Sequence, residues 1–268
     1  MVERFVQYQG SKLHYQIFGT GKQPLLFFHG FGQDSTVFKA VFEPLQAAYT
    51  VYAFDLYFHG KSTWAMGDQP MEKSTWKETL EVFFKQEDVR QFSIAGFSLG
   101  ARFALTTFEC FPEQTSRIFL LAPDGITINF WYRLATGTSV FRSLFKNIVR
   151  DHQRFLQIVR AFRSIGLISE PLARFAEKQM MSEVLRNRVY YSWVVFRKLK
   201  VKTTALAKTM NERGTPVTIV MGEYDKVISP ESVKPLSPQL KRVRIRKVNT
   251  GHHGIMEQAI PYFLDGWE

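Results

Sequence analysis

Cysteine is nearly absent from this sequence, since Cys110 is the only one in 268 residues. A single cysteine cannot form an internal disulfide, and chains without disulfides are typical of reducing compartments. We therefore expect a cytoplasmic protein. Cys110 lies in an apolar segment with Phe108 and Phe111, which favours a buried structural thiol over a catalytic nucleophile.

Long apolar runs are also missing. No segment approaches the roughly 18 consecutive apolar residues that a membrane-spanning helix requires. The first ten residues include Glu3, Arg4 and Gln7 and lack the apolar run of a signal peptide. The sequence therefore predicts neither a membrane span nor secretion.

Signals for metals, cofactors and nucleic acids are lacking as well. The six histidines are scattered, and the single cysteine has no partner at the spacing of metal ligands. We find neither a glycine-rich phosphate loop nor a dinucleotide-binding fingerprint. No nucleic-acid-binding module is recognisable. We therefore expect no metal, no cofactor and no nucleic-acid partner.

Acidic residues are scarce in one part of the chain. Residues 125–213 contain 17 Lys or Arg against 5 Asp or Glu, whereas the rest of the chain contains 18 against 19. The net charge of +11 therefore belongs to this segment. The segment has no strand signal, and its apolar residues recur at helical spacing, so we predict that it is helical.

The rest of the sequence alternates between strands and helices. Six strands are predicted before this segment, at 5–8, 13–18, 24–28, 51–54, 91–95 and 118–122. Two more are predicted after it, at 217–221 and 243–248, with one helix beginning at Ser229 and Pro230 and a last helix around 259–264.

This alternation predicts an α/β fold with a doubly wound, mostly parallel sheet and helices on both faces. The basic segment 125–213 is then a helical insertion after the sixth strand, ending in a helix that returns to the core. Residues 1–124 and 214–268 are predicted to form that core.

A Gly-x-Ser-x-Gly pattern stands at residues 96–100, with Ser98 at its centre. It follows the predicted strand 91–95 and precedes a helical pattern over 101–111, which is the strand–turn–helix context of a nucleophile elbow. The two glycines leave room where the strand turns sharply into the helix. The pattern predicts that the turn lifts the Ser98 hydroxyl above the edge of the sheet, next to the first amides of that helix.

A serine nucleophile also needs a base, a carboxylate that orients the base, and donors for the developing oxyanion. In a doubly wound sheet these groups lie at the carboxyl ends of the strands. Asp225 follows the seventh predicted strand, and His252 follows the eighth. Two alternatives remain, because Asp124 also follows a strand and His253 adjoins His252.

Five segments in this order make the chain resemble an α/β-hydrolase of the capped, serine-nucleophile type. They are the sequence His29-Gly30-Phe31-Gly32, the loop 55–62, the Ser98 turn, the turn that ends at Asp225, and Gly251-His252 with Glu257. The order Ser98, Asp225, His252 is the order that the family uses.

The resemblance implies a role for each matching residue. Ser98 is expected to be the nucleophile, His252 the general base and then acid, and Asp225 the carboxylate that orients it. The backbone amides of Phe31 and Leu99 are expected to form the oxyanion hole. The basic insertion is expected to be the lid that covers the site and selects the substrate.

One matching segment departs from the family pattern. The loop 55–62 carries Tyr57 and Phe58 where relatives have small residues. We expect these two rings either to narrow a pocket or to pack against the lid.

The family implies cleavage of a carboxylic ester or thioester of a small-molecule acyl substrate through an acyl-Ser98 intermediate. Alternatives are hydrolysis or lysis of a carbon–carbon bond by the same triad, and a ligand receptor that keeps the serine without appreciable turnover. The basic insertion has two interpretations. Its lysines and arginines are the solvated faces of lid helices, or they attract an anionic substrate or an anionic membrane surface.

Overall fold

The computed structural model describes residues 2–128, 130–168 and 170–266. In these residues eight strands form one sheet: β1 Val2–Tyr8, β2 Ser11–Phe18, β3 Gln23–Phe28, β4 Tyr49–Phe54, β5 Phe92–Phe97, β6 Thr115–Leu121, β7 Val217–Gly222 and β8 Val243–Val248. The α-helices are α1 Lys39–Leu45, α2 Lys73–Glu87, α3 Leu99–Cys110, α4 Phe130–Gly137, α5 Ser139–Arg150, α6 His152–Ser164, α7 Glu170–Gln179, α8 Glu183–Val195, α9 Thr203–Arg213 and α10 Ile255–Leu264.

The sheet has the strand order β1-β2-β4-β3-β5-β6-β7-β8. The two pairings made by β2 are antiparallel, and the other pairings are parallel. All six residues of β5 and of β7 are buried, as expected for strands covered on both faces. The predicted α/β fold with a mostly parallel sheet is confirmed.

Adjacent residues of β3 show how helices cover both faces. Phe27 packs on Phe38 and on Phe263 of α10, with ring centroids 4.1 and 5.7 Å apart. Its neighbour Phe28 packs on Trp76 of α2, at 5.7 Å. Because successive side chains of a strand point to opposite faces, these contacts place α10 and α2 on opposite sides of the sheet.

In the part of the chain that the structure describes, the last strand, β8, is an edge strand that pairs only with β7. It carries Arg244, Arg246 and Lys247. Positive charges on an edge strand disfavour pairing with the edge of another chain.

One predicted helix does not form. The segment that begins at Ser229 and Pro230 folds into two short 3₁₀ turns, Pro230–Val233 and Ser237–Gln239. Pro235 and Pro238 follow the predicted start within nine residues. Each proline removes a backbone N–H and its ring obstructs the preceding helical turn, so two prolines three residues apart strongly disfavour an α-helix here.

The chain folds as two compact units. The first contains the sheet and comprises Met1–Ala65, Glu72–Thr127 and Leu199–Glu268. The second, called the helical unit below, comprises Met66–Met71 and Ile128–Lys198. The domain limits predicted at residues 125 and 213 stay a prediction.

Inside the helical unit, an acidic side chain of the segment Met66–Met71 bonds to two of the helices. Asp68 lies 3.3 Å from the Lys146 ammonium and accepts a hydrogen bond of 3.2 Å from the Tyr190 hydroxyl. The rings of Phe145 and Trp193 stack at 5.2 Å beside them.

In the described part of the chain, no helix combines the length and the apolar character needed to cross a bilayer.

The close packing of α3 on β3 yields a first prediction. A Cβ at Gly100 would lie 2.0 Å from the carbonyl oxygen of Phe28. Because backbone atoms cannot move aside cheaply, we expect Gly100→Ala to lower the free energy of unfolding by about 1–3 kcal/mol or more. Chemical denaturation followed by circular dichroism measures this loss.

Gly266→Ala is the matched control, because nothing lies within 4 Å of a Cβ at that position. We expect it to unfold like the parent protein. Equal stability of the Gly100→Ala variant and the control would contradict the close approach of α3 to β3.

Candidate active site

Ser98 stands at the sharp turn between β5 and α3, with φ 50° and ψ −116°. A positive φ is strained for a residue with a side chain, and such strain is concentrated at functional sites. Backbone hydrogen bonds hold the turn: the Ser98 amide donates to Leu121 at 2.9 Å, and the Ser98 carbonyl accepts from Ala101 and Asp124, both at 3.0 Å.

The flanking glycines are required by space. A Cβ at Gly96 would lie 2.5 Å from the carbonyl oxygen of Gly100, and one at Gly100 would meet the backbone of Phe28. Both positions therefore exclude any larger residue. The Gly-x-Ser-x-Gly pattern thus reflects the close approach of α3 to the sheet.

The structure brings Asp225 and His252 together. Asp225 Oδ2 lies 2.7 Å from His252 Nδ1, although the residues are 27 positions apart in sequence. The Asp225 side chain is fully buried, and the His252 side chain is 11% exposed. A carboxylate can only accept here, so Nδ1 carries a proton, and in the neutral imidazole the lone pair is then on Nε2.

The Asp225 carboxylate is satisfied by further donors. Its Oδ1 accepts from the amides of Val227 and Ile228 at 2.8 and 2.9 Å. Burial alone would raise the pKa of Asp225, but the hydrogen bonds from His252 and these amides outweigh burial and lower it. The group is therefore a stable anion at neutral pH.

Backbone bonds join the loop that carries Asp225 to the loop that carries His252. The amide of Glu223 donates to Val248 at 2.9 Å, and the amide of Tyr224 donates to Thr250 at 3.1 Å. The pairing of β7 with β8 therefore fixes the loops that position Asp225 and His252.

Phe97, the residue before Ser98, packs against His252. The Phe97 ring, adjacent to Ser98, lies 4.9 Å from the His252 ring between centroids. In the described residues the Ser98 hydroxyl makes no direct hydrogen bond to His252. Catalytic hydrogen bonds are often long until substrate binds, so the pairing of Ser98 with His252 stays a prediction.

Asp124 and His253, the alternative candidates for the carboxylate and the base, make different contacts. Asp124 binds the buried Arg102 guanidinium at 2.7 Å. His253 is exposed, and its ring lies 5.9 Å from that of His252. Asp225, and not Asp124, is thus the carboxylate bonded to His252.

The loop that carries Phe31 is held by the buried His29. His29 Nε2 accepts from the Leu56 amide at 2.9 Å, and Nδ1 lies 2.7 Å from the carbonyl oxygen of Gly30. Both ring nitrogens of His29 are therefore engaged in supporting the loop. Leu99, the other predicted oxyanion residue, is the first residue of α3, and its amide has no acceptor within the helix.

Sequence reasoning missed a second buried acid and histidine pair. Asp55 Oδ2 lies 2.7 Å from Nδ1 of His14 in β2, and Asp55 also accepts from the amides of Ser35 and Lys61. Burial would raise the pKa of Asp55, but these donors hold it well below its usual range. The signal for this pair was His14 itself, a polar residue inside a strand whose neighbours are apolar.

Tyr57 and Phe58 occupy the loop that follows Asp55. Tyr57 is buried against Trp64, with ring centroids 5.0 Å apart. Phe58 adopts φ 69°, a conformation that favours glycine. The loop therefore keeps a backbone suited to a small residue while carrying a large one.

Among the described residues, no group of three or more His, Cys, Asp or Glu side chains is placed to hold a metal ion. The candidate reactive groups of this site are the Ser98 hydroxyl, the His252 imidazole and the Asp225 carboxylate. These three side chains extend from the ends of β5, β8 and β7.

Comparison with known proteins decides the family. The family model of the alpha/beta hydrolase fold matches residues 23–259, which is most of the chain. The chain belongs to the α/β-hydrolase family. Its relatives are generally hydrolytic enzymes, and the resemblance to the α/β-hydrolase fold family inferred from the sequence is confirmed.

Individual relatives are distant. An uncharacterized protein of Mycobacterium bovis is 30% identical over 135 residues, which is 50% of this chain and 39% of that protein. The chain thus spans about two fifths of the length of that relative. The pimeloyl-[acyl-carrier protein] methyl ester esterase of Nitrosomonas europaea is 24% identical over 238 residues, covering 88% of this chain and 90% of the esterase.

Solved structures share the fold. A thermophilic esterase from Thermogutta terrifontis superposes with a TM-score of 0.71 at 18% identity, covering 98% of both chains. At this level of identity the likeness establishes the fold alone.

The lowered pKa of Asp55 predicts a pH-dependent contribution to stability. A carboxyl whose folded-state pKa is depressed stabilises the fold fully above its unfolded-state pKa, about 4, and loses that contribution as pH falls towards the folded-state value. We expect Asp55→Asn to cost about 2–4 kcal/mol at pH 7, because it removes a charged acceptor from buried donors.

The difference in the free energy of unfolding between Asp55→Asn and the parent protein should become smaller as the pH is lowered from about 5 to about 3. Urea denaturation at each pH measures this difference. Asp88→Asn is the control, since the Asp88 side chain is 84% exposed. A difference between parent and Asp55→Asn that stays constant across this range would contradict the assignment.

Proposed function

We propose that the protein is a serine hydrolase that cleaves a carboxylic ester or thioester through an acyl-Ser98 intermediate. The observation that carries the proposal is the Asp225–His252 hydrogen bond beside the strained Ser98 turn. A hydroxyl on a strained turn, an imidazole and a buried carboxylate are the parts that nucleophilic acyl transfer needs.

In the first step, Ser98 Oγ attacks the carbonyl carbon of the substrate, and its proton passes to His252 Nε2. The Asp225 carboxylate stabilises the imidazolium that forms, and its bond to Nδ1 keeps Nε2 directed at the reaction. The negative charge that develops on the carbonyl oxygen is stabilised by the backbone amides of Leu99 and Phe31.

The tetrahedral intermediate then collapses. The bond to the leaving oxygen or sulfur breaks, and His252 gives its proton to the leaving group. In the second half-reaction a water molecule, deprotonated by His252, attacks the acyl-Ser98 carbonyl. The carboxylic acid departs, and the proton returns to Ser98.

The substrate class is supported by two observations. The relative from Nitrosomonas europaea is named a methyl ester esterase and covers nearly the whole chain. The net charge of +11 attracts anionic molecules by long-range steering, which favours acyl substrates that carry a carboxylate or phosphate.

Replacing the nucleophile tests the reaction. We expect Ser98→Ala to reduce kcat/KM by at least about 10³-fold on a panel of p-nitrophenyl esters and acyl thioesters, because no other group can form the acyl intermediate. A fluorophosphonate should label the parent protein covalently and leave Ser98→Ala unlabelled.

The same panel separates an enzyme from a receptor. Sustained turnover by the parent, lost in Ser98→Ala, supports the proposal. Labelling of Ser98 without sustained turnover of any ester or thioester would contradict it.

Two matched carboxylate variants test the assignment of the acid. We expect Asp225→Asn to reduce kcat by about 10²- to 10⁴-fold, because an amide in this position stabilises the wrong tautomer of His252. Asp124→Asn should retain kcat within about tenfold, because Asp124 bonds to Arg102 rather than to His252.

Circular dichroism confirms that both variants are folded before their rates are compared. Near-full activity of Asp225→Asn, or a larger loss in Asp124→Asn, would overturn the assignment of Asp225.

A further inference from the structure

The helical unit carries a group of apolar side chains where α4 begins and where α6 ends. The rings of Trp131 and Phe162 stack with centroids 4.9 Å apart, and Phe130 packs edge-on against Trp131 at 5.3 Å. The amide of Leu167 donates to the carbonyl of Phe162 at 2.9 Å, which folds the residues after α6 back onto it. We call Phe130, Trp131, Phe162, Ile165 and Leu167 the apolar tip.

Three side chains of the apolar tip are largely exposed. Phe130, Ile165 and Leu167 are 61%, 67% and 51% exposed. Gly166 between them turns the chain with φ 70°, and a Cβ there would meet nothing within 4 Å. Contiguous exposed apolar side chains on a folded protein mark an interaction surface.

Positive charge surrounds the apolar tip. Arg133 lies one turn after Phe130, and Arg160 and Arg163 flank Phe162 on α6. Arg133 and Arg160 are exposed, and Arg163, which pairs with Glu170 at 2.6 Å, is 51% exposed. Across the helical unit, 13 Lys or Arg stand against 5 Asp or Glu.

We propose that the apolar tip docks the protein on an anionic lipid surface. Phenylalanine, tryptophan, isoleucine and leucine side chains beside arginines are the composition that inserts into the headgroup region of a bilayer. The apolar side chains enter the interface, while the arginines extend their charged ends to lipid phosphates.

The exposed apolar side chains of the apolar tip favour a bilayer over an acidic protein as the partner. An acidic protein surface would pair with the arginines but would leave the exposed Phe130, Ile165 and Leu167 without an apolar partner. An anionic bilayer accommodates both kinds of side chain in one plane. Docking requires no catalysis, so this proposal stands or falls separately from the proposed hydrolase function.

Vesicle flotation of the full chain tests the proposal. The probes are phosphatidylcholine vesicles with and without about 30% phosphatidylserine, at about 0.1 M and about 0.5 M salt. We expect binding to the anionic vesicles at low salt, with binding weakened several-fold at high salt and on neutral vesicles. Absence of binding to anionic vesicles at low salt would overturn the proposal.

A double variant, Ile165→Ser with Leu167→Ser, tests the apolar contribution. Both side chains are exposed, so the fold should be retained, and circular dichroism checks this. We expect about tenfold weaker partitioning onto anionic vesicles, because two inserting side chains are lost. The matched control is Met181→Ser with Val184→Ser, two residues of the same unit that are 74% and 70% exposed.

The control should bind like the parent protein. Equal binding by the Ile165→Ser, Leu167→Ser variant and the parent would overturn the proposal. Binding to soluble polyglutamate as strong as binding to anionic vesicles, and equally strong in the double variant, would also overturn it, because charge alone would then explain association.

Discussion

The left-handed backbone of Ser98 is the constraint on which the site depends. A positive φ at a residue with a side chain costs about 1–3 kcal/mol and persists only where the surroundings enforce it. Here the Ser98 amide and carbonyl are bound to Leu121, Ala101 and Asp124, so the peptide cannot relax. The glycines on either side let α3 approach the sheet closely enough for these bonds to form. The energy of the close-packed core thus holds one residue in a conformation that the chain would otherwise avoid.

The acid and base of the proposed mechanism depend on a second constraint, the pairing of β7 with β8. Asp225 and His252 lie in loops that exchange backbone hydrogen bonds, so their 2.7 Å contact follows from the register of two strands. The amides of Val227 and Ile228 hold the carboxylate from the other side. The carboxylate therefore has little freedom to turn away from the imidazole, and the orientation is set before any substrate arrives.

Local signals in the sequence were sufficient to predict the strands of the sheet and the Ser98 turn. Strand periodicity and the need for glycine at a tight turn each depend on only a few neighbouring residues. The choice between Asp225 and Asp124 was not available from local signals, since both follow strands and only the spatial pairing with His252 separates them. The Asp55–His14 bond joins residues 41 positions apart, and nothing in either neighbourhood specifies the other. The helix predicted from Ser229 and Pro230 was wrong because two later prolines outweighed a favourable start.

Because β8 lies at the edge of the sheet, we expect different parts of the protein to open at different temperatures. An edge strand is supported on one side only, and local opening requires less free energy at such margins than in the centre of a sheet. The imidazole lies in the loop that follows this edge strand, whereas the serine follows a central strand, β5. Warming should therefore separate the base from the nucleophile while most of the core stays folded, so that chemical competence is lost at a lower temperature than the fold itself.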